Sequence, residues 1–141
     1  MRSPVQLFER AFDVMQKRSW EKIYVLVDIH ETIVEPTWTE DMSYTYYPLA
    51  KETLQIISKR NDVYLIQWSS ANEYNQIQYH NIFQTDHIDF KEMNKNSDVL
   101  STDYADFNTK PYMNVILDDK AGFEPSDWLE LYNYFKQKEK S

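Results

Sequence analysis

Polar side chains that could do chemistry together follow each of three apolar runs: Asp28 and His30 after the first, Ser69 and Ser70 after the second, Asp118 and Asp119 after the third. A carboxylate can attack phosphorus and form an acyl phosphate. A carboxylate pair can hold a divalent cation that neutralises a phosphoryl group, while hydroxyl and ammonium groups bind the remaining oxygens. These residue types predict metal-assisted phosphoryl transfer, if the fold brings the three run ends together.

The elements that would position these residues alternate between strands and helices. Strands are predicted over 23–27, 62–68 and 112–119, and the first is an apolar, β-branched run without alternation, typical of a strand buried on both faces. Residues 87–93 predict a further short strand, and 34–47 a loop or short flap. Apolar spacing and start signals predict helices over 4–18, 48–60, 70–83 and 126–138, the second opened by Pro48 and the third by a capping box, Ser70-x-x-Glu73.

This alternation predicts an α/β fold with a mainly parallel central sheet and right-handed crossovers. Ligands of such sheets collect beyond the carboxyl ends of the strands, so the three run ends are expected to share one crevice. We expect a single domain over 1–141, with the N-terminal helix within 1–22, a catalytic-type core over 23–123 and the C-terminal helix over 126–138.

Composition and charge exclude several classes of function. A formal net charge of −8 argues against nucleic acid or an anionic membrane as the main partner. The absence of cysteine excludes a thiolate nucleophile and cysteine-bound zinc, and a single glycine, Gly122, excludes a glycine-rich phosphate loop. No segment approaches 18 apolar residues and no signal sequence opens the chain, so a cytoplasmic protein without a membrane span is expected.

The order of these motifs resembles the haloacid dehalogenase-like (HAD-like) superfamily of phosphatases and phosphotransferases. Asp28-Ile29-His30-Glu31-Thr32 is similar to its first motif, D-x-D-x-T after a strand. Ser69 in LIQWSSANEY is similar to the second, Lys110 in TKPYMNV to the third, and Asp118-Asp119 in VILDDKAGF to the fourth. Order and strand context agree over residues 23–123, and the stretch KPY…DDKAGF resembles small capless members of the superfamily.

The resemblance implies a three-layer Rossmann-like fold with a short flap instead of a cap domain. It also implies Mg²⁺, held by Asp28, the backbone carbonyl of His30 and Asp118, with Asp119 acting through water. Asp28 would be the nucleophile toward a phosphorylated substrate. Its phosphoryl oxygens would be bound by Ser69 and a lysine, and we expect Thr32 and Ser70 to bind phosphate with them. Lys110 fits the lysine position best, and Lys120 and Lys95 compete with it.

His30 leaves more than one function open. The superfamily's phosphatases place an acid two residues after the nucleophile, and this chain has a histidine there. A histidine with its ordinary pKa of about 6.5 can serve as acid and base, or it can mark a site that has lost its chemistry. Glu31 adds a negative charge nearby. Three expectations follow: a Mg²⁺-dependent phosphohydrolase acting on a phosphate monoester, a weakened or inactive binding or regulatory module, and a polynucleotide-end phosphatase. The identity of the substrate and the oligomeric state do not follow from the sequence.

Overall fold

The chain forms one parallel sheet connected by helices in a computed structural model that describes residues 3–37, 42–99 and 111–139. The described elements are, in chain order, α1 (Pro4–Lys17), β1 (Ile23–Asp28), α2 (Ala50–Ser58), β2 (Val63–Trp68), α3 (Glu73–Thr85), β3 (Glu92–Met93), β4 (Val115–Leu117) and α4 (Asp127–Glu139). The sheet order is β3-β2-β1-β4, with every pairing parallel. The predicted α/β class is therefore confirmed, and the arrangement is consistent with a three-layer Rossmann-like fold.

The register of the sheet places the polar strand ends side by side. Residues of β1 and β2 pair from Ile23 with Val63 through to Asp28 with Trp68, and β4 pairs with β1 up to Val27 with Leu117. Both long strands are apolar and mostly buried, as a central parallel strand requires. The residues that follow β1, β2 and β4 therefore leave the sheet at the same edge.

The main core joins alternate residues of β1 and β2 to the apolar faces of the helices. Trp128 of α4 is fully buried in it, and its indole N–H donates to the Thr32 carbonyl oxygen at 2.7 Å. The hydroxyl of Thr53 in α2 donates to the Trp128 carbonyl oxygen at 3.4 Å. Burying a side chain of this size stabilises the fold by roughly 2–3 kcal/mol. The core thus holds α2 and α4 against the turn that follows Asp28.

The boundaries of several elements differ from the sequence predictions. Helix α2 begins at Ala50 and not at Pro48, because Leu49 adopts a left-handed backbone conformation with φ of 66°. The capping box at Ser70 is absent: Asn72 is the N-cap of α3, and its side chain accepts from the Asn75 N–H at 2.8 Å. Asparagine caps as well as serine does, and residues 69–71 are left to form a turn. The short strand within 87–93 is reduced to two residues, and β4 covers three residues of the predicted 112–119.

A tight turn and a short flap follow β1. The Ile29 carbonyl oxygen accepts from the N–H groups of Ile33 at 2.8 Å and Val34 at 3.1 Å. The chain then pairs with itself, because the Glu35 N–H donates to the Thr45 carbonyl oxygen at 2.8 Å. The predicted flap over 34–47 thus has a paired base, while residues 38–41 lie outside the described ranges. Within the described ranges, every helix is too short or too polar to cross a membrane.

Candidate active site

A cleft of about 360 Å³ opens at the carboxyl edge of the sheet. Its lining includes six of the side chains that the sequence predicts for the site: Asp28, His30, Ser69, Ser70, Asp118 and Asp119. Lys120, one of the candidates for the lysine position, also lines it, as do Glu31 and Trp68. Trp68 lines the cleft because it is the last residue of β2 and pairs with Asp28. Its residue type alone did not indicate this position.

The carboxylates of Asp28, Asp118 and Asp119 form a cluster that fits a divalent cation. One oxygen from each lies within 4.8 Å of the others. Oxygen ligands of this kind are what Mg²⁺ prefers, and close negative charges need a cation or shared protons to coexist. The donor set therefore fits the Mg²⁺ that the sequence resemblance implies.

Crowding of these carboxylates shifts their pKa values. Burial, reinforced by the charge of Asp118, raises the pKa of Asp28 to about 7. Burial also raises the pKa of Asp118, with a hydrogen bond from its protonated form to Asp119 contributing. Burial opposes ionisation of Asp119 too, but hydrogen bonds from Asp118, Glu31 and Asp28 outweigh it and lower the pKa. Without a cation, Asp28 and Asp118 therefore take up protons more readily than Asp119 does.

The turn after β4 is positioned by backbone hydrogen bonds. Asp118 caps a short 3₁₀ turn over Asp119–Ala121, and its carboxylate accepts from the Lys120 N–H at 2.9 Å. Gly122 ends this turn with φ of 99°, a conformation that glycine adopts without steric cost. The single glycine of the chain thus serves the acidic turn.

Thr32 lies beneath the cleft and not in its wall. Its side chain is fully buried, and its hydroxyl accepts from the Asp119 N–H at 3.1 Å. The sequence predicts that Thr32 binds phosphate, but a fully buried side chain does not fit that role. Thr32 instead ties the turn after β1 to the turn after β4, which brings Asp28 and Asp119 together.

Ser69 is held by a residue that the sequence did not indicate. The Asn94 amide oxygen accepts from the Ser69 N–H at 2.8 Å, and the Asn94 amide N–H donates to the Ser69 carbonyl oxygen at 2.8 Å and to Gln76 at 2.9 Å. The Ser69 hydroxyl accepts from the Ala71 N–H at 3.0 Å, so its own O–H can donate to a ligand. Asn94 has φ of 55°, a conformation that asparagine tolerates better than most residues, but this preference alone does not indicate its partner.

We expect Asn94→Gly to lower the free energy of unfolding by about 2 kcal/mol, because three hydrogen bonds to partly buried groups are lost. Glycine keeps the positive φ, so the change isolates the side chain. Urea unfolding measures the effect, with Asn133→Gly as a reference for glycine cost at an exposed helical position. An unchanged free energy of unfolding in Asn94→Gly would show that the clamp on Ser69 contributes nothing.

His30 leans on α3. Its Nε2 lies 3.3 Å from the Tyr79 hydroxyl oxygen, and the two rings meet edge to face with centroids 5.3 Å apart. Tyr79 is buried, so it gives the imidazole a fixed support. Burial of part of the ring lowers the pKa of His30, and the nearby Glu31 charge opposes that shift. The imidazole is therefore mostly neutral near pH 7.

The lysine position differs among its three candidates. Lys110 lies outside the described residues. Lys120 lines the cleft beside the acidic turn. Lys95 is exposed and does not line it. Of the two described candidates, Lys120 is the one placed to reach a ligand in the cleft.

The fold and this cleft define a Rossmann-like α/β protein with an acidic site at the carboxyl edge of its sheet. Among known proteins, the chain is similar to a solved structure described as a conserved protein from Bacteroides thetaiotaomicron. The two share 24% sequence identity over 83% of this chain and 92% of the other, with a TM-score of 0.64. At this identity the likeness shows the fold alone. No protein-family profile and no curated protein matches the sequence.

Proposed function

We propose that the protein is a Mg²⁺-dependent phosphohydrolase of the HAD-like type, which cleaves a phosphate monoester through an aspartyl-phosphate on Asp28. One observation supports this most: three carboxylate oxygens lie within 4.8 Å of one another in a cleft that also contains Ser69 and Ser70. A metal-binding cluster beside hydroxyl donors is the arrangement that phosphoryl transfer needs.

In the first step, the ionised Asp28 carboxylate attacks phosphorus and the ester P–O bond breaks. Ser69, Ser70 and Lys120 line the same cleft, and their hydroxyl and ammonium groups would bind phosphoryl oxygens. Bound Mg²⁺ would supply positive charge against the carboxylates and the phosphoryl group. The leaving oxygen requires a proton, which His30 can donate only in its protonated form.

In the second step, water cleaves the aspartyl-phosphate and regenerates the Asp28 carboxylate. A neutral imidazole is suited to accept the proton from that water, and the lowered pKa of His30 favours this neutral form. His30 is thus better prepared for the second step than for the first. We infer that release of the leaving group limits turnover, and that esters with acidic leaving groups react fastest.

A screen of phosphate monoesters, run with MgCl₂ and again in metal-depleted buffer, tests the proposal. Expected is phosphate release that requires Mg²⁺ and is faster for p-nitrophenyl phosphate than for alkyl phosphates, because the phenol leaves without needing a full proton. Phosphate release that is equal without a divalent cation would contradict the proposed site.

Metal binding should also be visible in stability. Because the pKa of Asp28 is raised above its unfolded value of about 3.8, its contribution to stability is present below about pH 4 and lost as the pH rises through about 7. A divalent cation binds the ionised carboxylates and should reverse this loss. We therefore expect MgCl₂ to raise the melting temperature by about 3–6 °C near pH 8 and by much less near pH 5. Thermal scans at both pH values measure this, and an equal shift at both would contradict it.

A second candidate function is a binding or regulatory module with little or no turnover. The contact between His30 and Tyr79 favours it, since the imidazole rests on α3 and its lowered pKa leaves little of the acid form. Such a module would bind the cation or a phosphorylated ligand in the same cleft. Substitution of His30 separates the two functions.

A further inference from the structure

A second and larger cleft, of about 590 Å³, lies at the opposite edge of the sheet. Its walls come from separate parts of the chain: Lys22 just before β1, residues 58–61 at the end of α2 and beyond it, and the start of β2 at Val63 and Tyr64. Gln84 at the end of α3 and His87, Asp89 and Lys91 from the segment before β3 complete the lining. These are the amino ends of the strands, whereas the acidic cleft lies at their carboxyl ends. The acidic site therefore does not account for this second cleft, which we name the basic cleft.

The lining of the basic cleft is cationic in an acidic protein. Among the described residues, Lys22, Lys59, Arg60 and Lys91 line it, against one lining carboxylate, Asp89, which forms an ion pair with Lys91. The whole chain has 23 acidic residues and 15 lysines and arginines. Cations thus outnumber carboxylates among the residues that line this cleft, whereas acids outnumber bases in the chain as a whole.

Two of these cations are held in place from outside the cleft. Asp62 binds Arg60 through two hydrogen bonds of 2.8 and 2.9 Å, and Asp98 binds Lys22 at 3.0 Å, yet neither acid is part of the lining. A guanidinium has five N–H donors and an ammonium has three, so both groups keep donors for a ligand. Lys22 also lies over the Tyr64 ring, 5.3 Å from its centroid. The cationic groups are therefore oriented before any ligand arrives.

The ends of helices explain only part of this charge. Lys59 and Arg60 directly follow α2, where the carbonyl ends of a helix favour cations. Lys22 and Lys91 instead directly precede β1 and β3 and belong to no helix. The parallel sheet brings these two lysines to the same edge as the C-terminus of α2. The positive charge at this edge is therefore greater than compensation of the α2 dipole requires.

We propose that the basic cleft binds a small ligand with two or more anionic groups, either phosphoryl or carboxylate. Its volume lies within the roughly 300–1,000 Å³ of small-molecule sites. The spread of the cations over three parts of the wall suits a ligand with separated charges better than a single ion. The proposal is independent of the phosphohydrolase function, because it involves the other edge of the sheet.

The test is an amide NMR titration of the ¹⁵N-labelled full chain in metal-depleted buffer, with inorganic pyrophosphate in one arm and citrate in the other. Expected are saturable shifts at the amides of residues 59–64 and 87–91 with at least one of the two probes. The probe that saturates at the lower concentration assigns the ligand to the phosphoryl or the carboxylate class.

Variants make the assignment specific. Lys59 and Lys91 are exposed, so the double variant Lys59→Gln/Lys91→Gln should fold, and its Kd for the probe should rise about tenfold or more. Lys17→Gln removes a matched exposed lysine on α1 and should leave the Kd unchanged. Three results would overturn the proposal: no saturable shift with either probe, shifts confined to the acidic cleft, or an equal loss of affinity in Lys17→Gln.

Discussion

Asp28→Asn is expected to lower phosphate release by about 10⁴-fold or more, because an amide is a far weaker nucleophile than a carboxylate and cannot form the acyl phosphate. The same change should stabilise the metal-free protein near pH 8 by about 1–2 kcal/mol, since it removes one of three crowded negative charges. It should also remove most of the stabilisation by MgCl₂. Activity assays and thermal scans of one variant thus give three readouts.

The opposite signs of these effects make the prediction specific. A structural Asp28 would lose stability on substitution, whereas a site carboxylate held at a raised pKa should gain it. Asp13→Asn is the matched control, because Asp13 is an exposed carboxylate on α1 that pairs with Lys17. It should leave phosphate release and the response to MgCl₂ unchanged. Turnover that survives Asp28→Asn would contradict the covalent mechanism.

His30→Asp is expected to raise phosphate release by about 10²-fold with alkyl phosphates, the substrates that most need a proton at the leaving oxygen. The change restores the acid that the HAD-like resemblance places two residues after the nucleophile. Aspartate is also smaller and leaves the Tyr79 support, so it has freedom to face the phosphoryl group. The gain should be smaller with p-nitrophenyl phosphate, whose leaving group needs less help.

His30→Asn controls for size and for the lost contact with Tyr79. Asparagine matches aspartate in shape but transfers no proton, so it should not exceed the wild type. If His30→Asp gains and His30→Asn does not, the scaffold is competent and His30 limits the chemistry. If neither variant shows turnover while MgCl₂ still stabilises both, the binding or regulatory module is the better description.

The strands and their polar ends could be predicted from local sequence. The apolar run before Asp28 marks a buried strand whatever lies beside it, and a chain that alternates such runs with amphipathic segments has few options other than a parallel sheet. Because parallel strands end at one edge, the meeting of Asp28 with Asp118 followed from the same pattern. That part of the site could therefore be predicted from the hydrophobic periodicity of the sequence and the topology of a parallel sheet.

Local signals misled where two of them competed. Ser70 and Asn72 are both good caps, and only the path of the chain out of β2 selects Asn72. Thr32 lies in a motif that implies ligand contact, yet its hydroxyl is used by the Asp119 N–H, a partner 87 residues away. A pattern of residue types does not contain such distant pairings.

The sequence by itself determined the fold class and the acidic edge, since both depend on periodicity and on the residue types at the end of each strand. Only the tertiary structure decided which groups surround them: Asn94 clamping Ser69, Tyr79 supporting His30, and Lys120 lining the cleft. The basic cleft likewise could not be predicted from the sequence, because its lysines come from distant segments that only the folded sheet brings to one edge. Periodicity is local, whereas a site depends on distances between residues that are far apart along the chain.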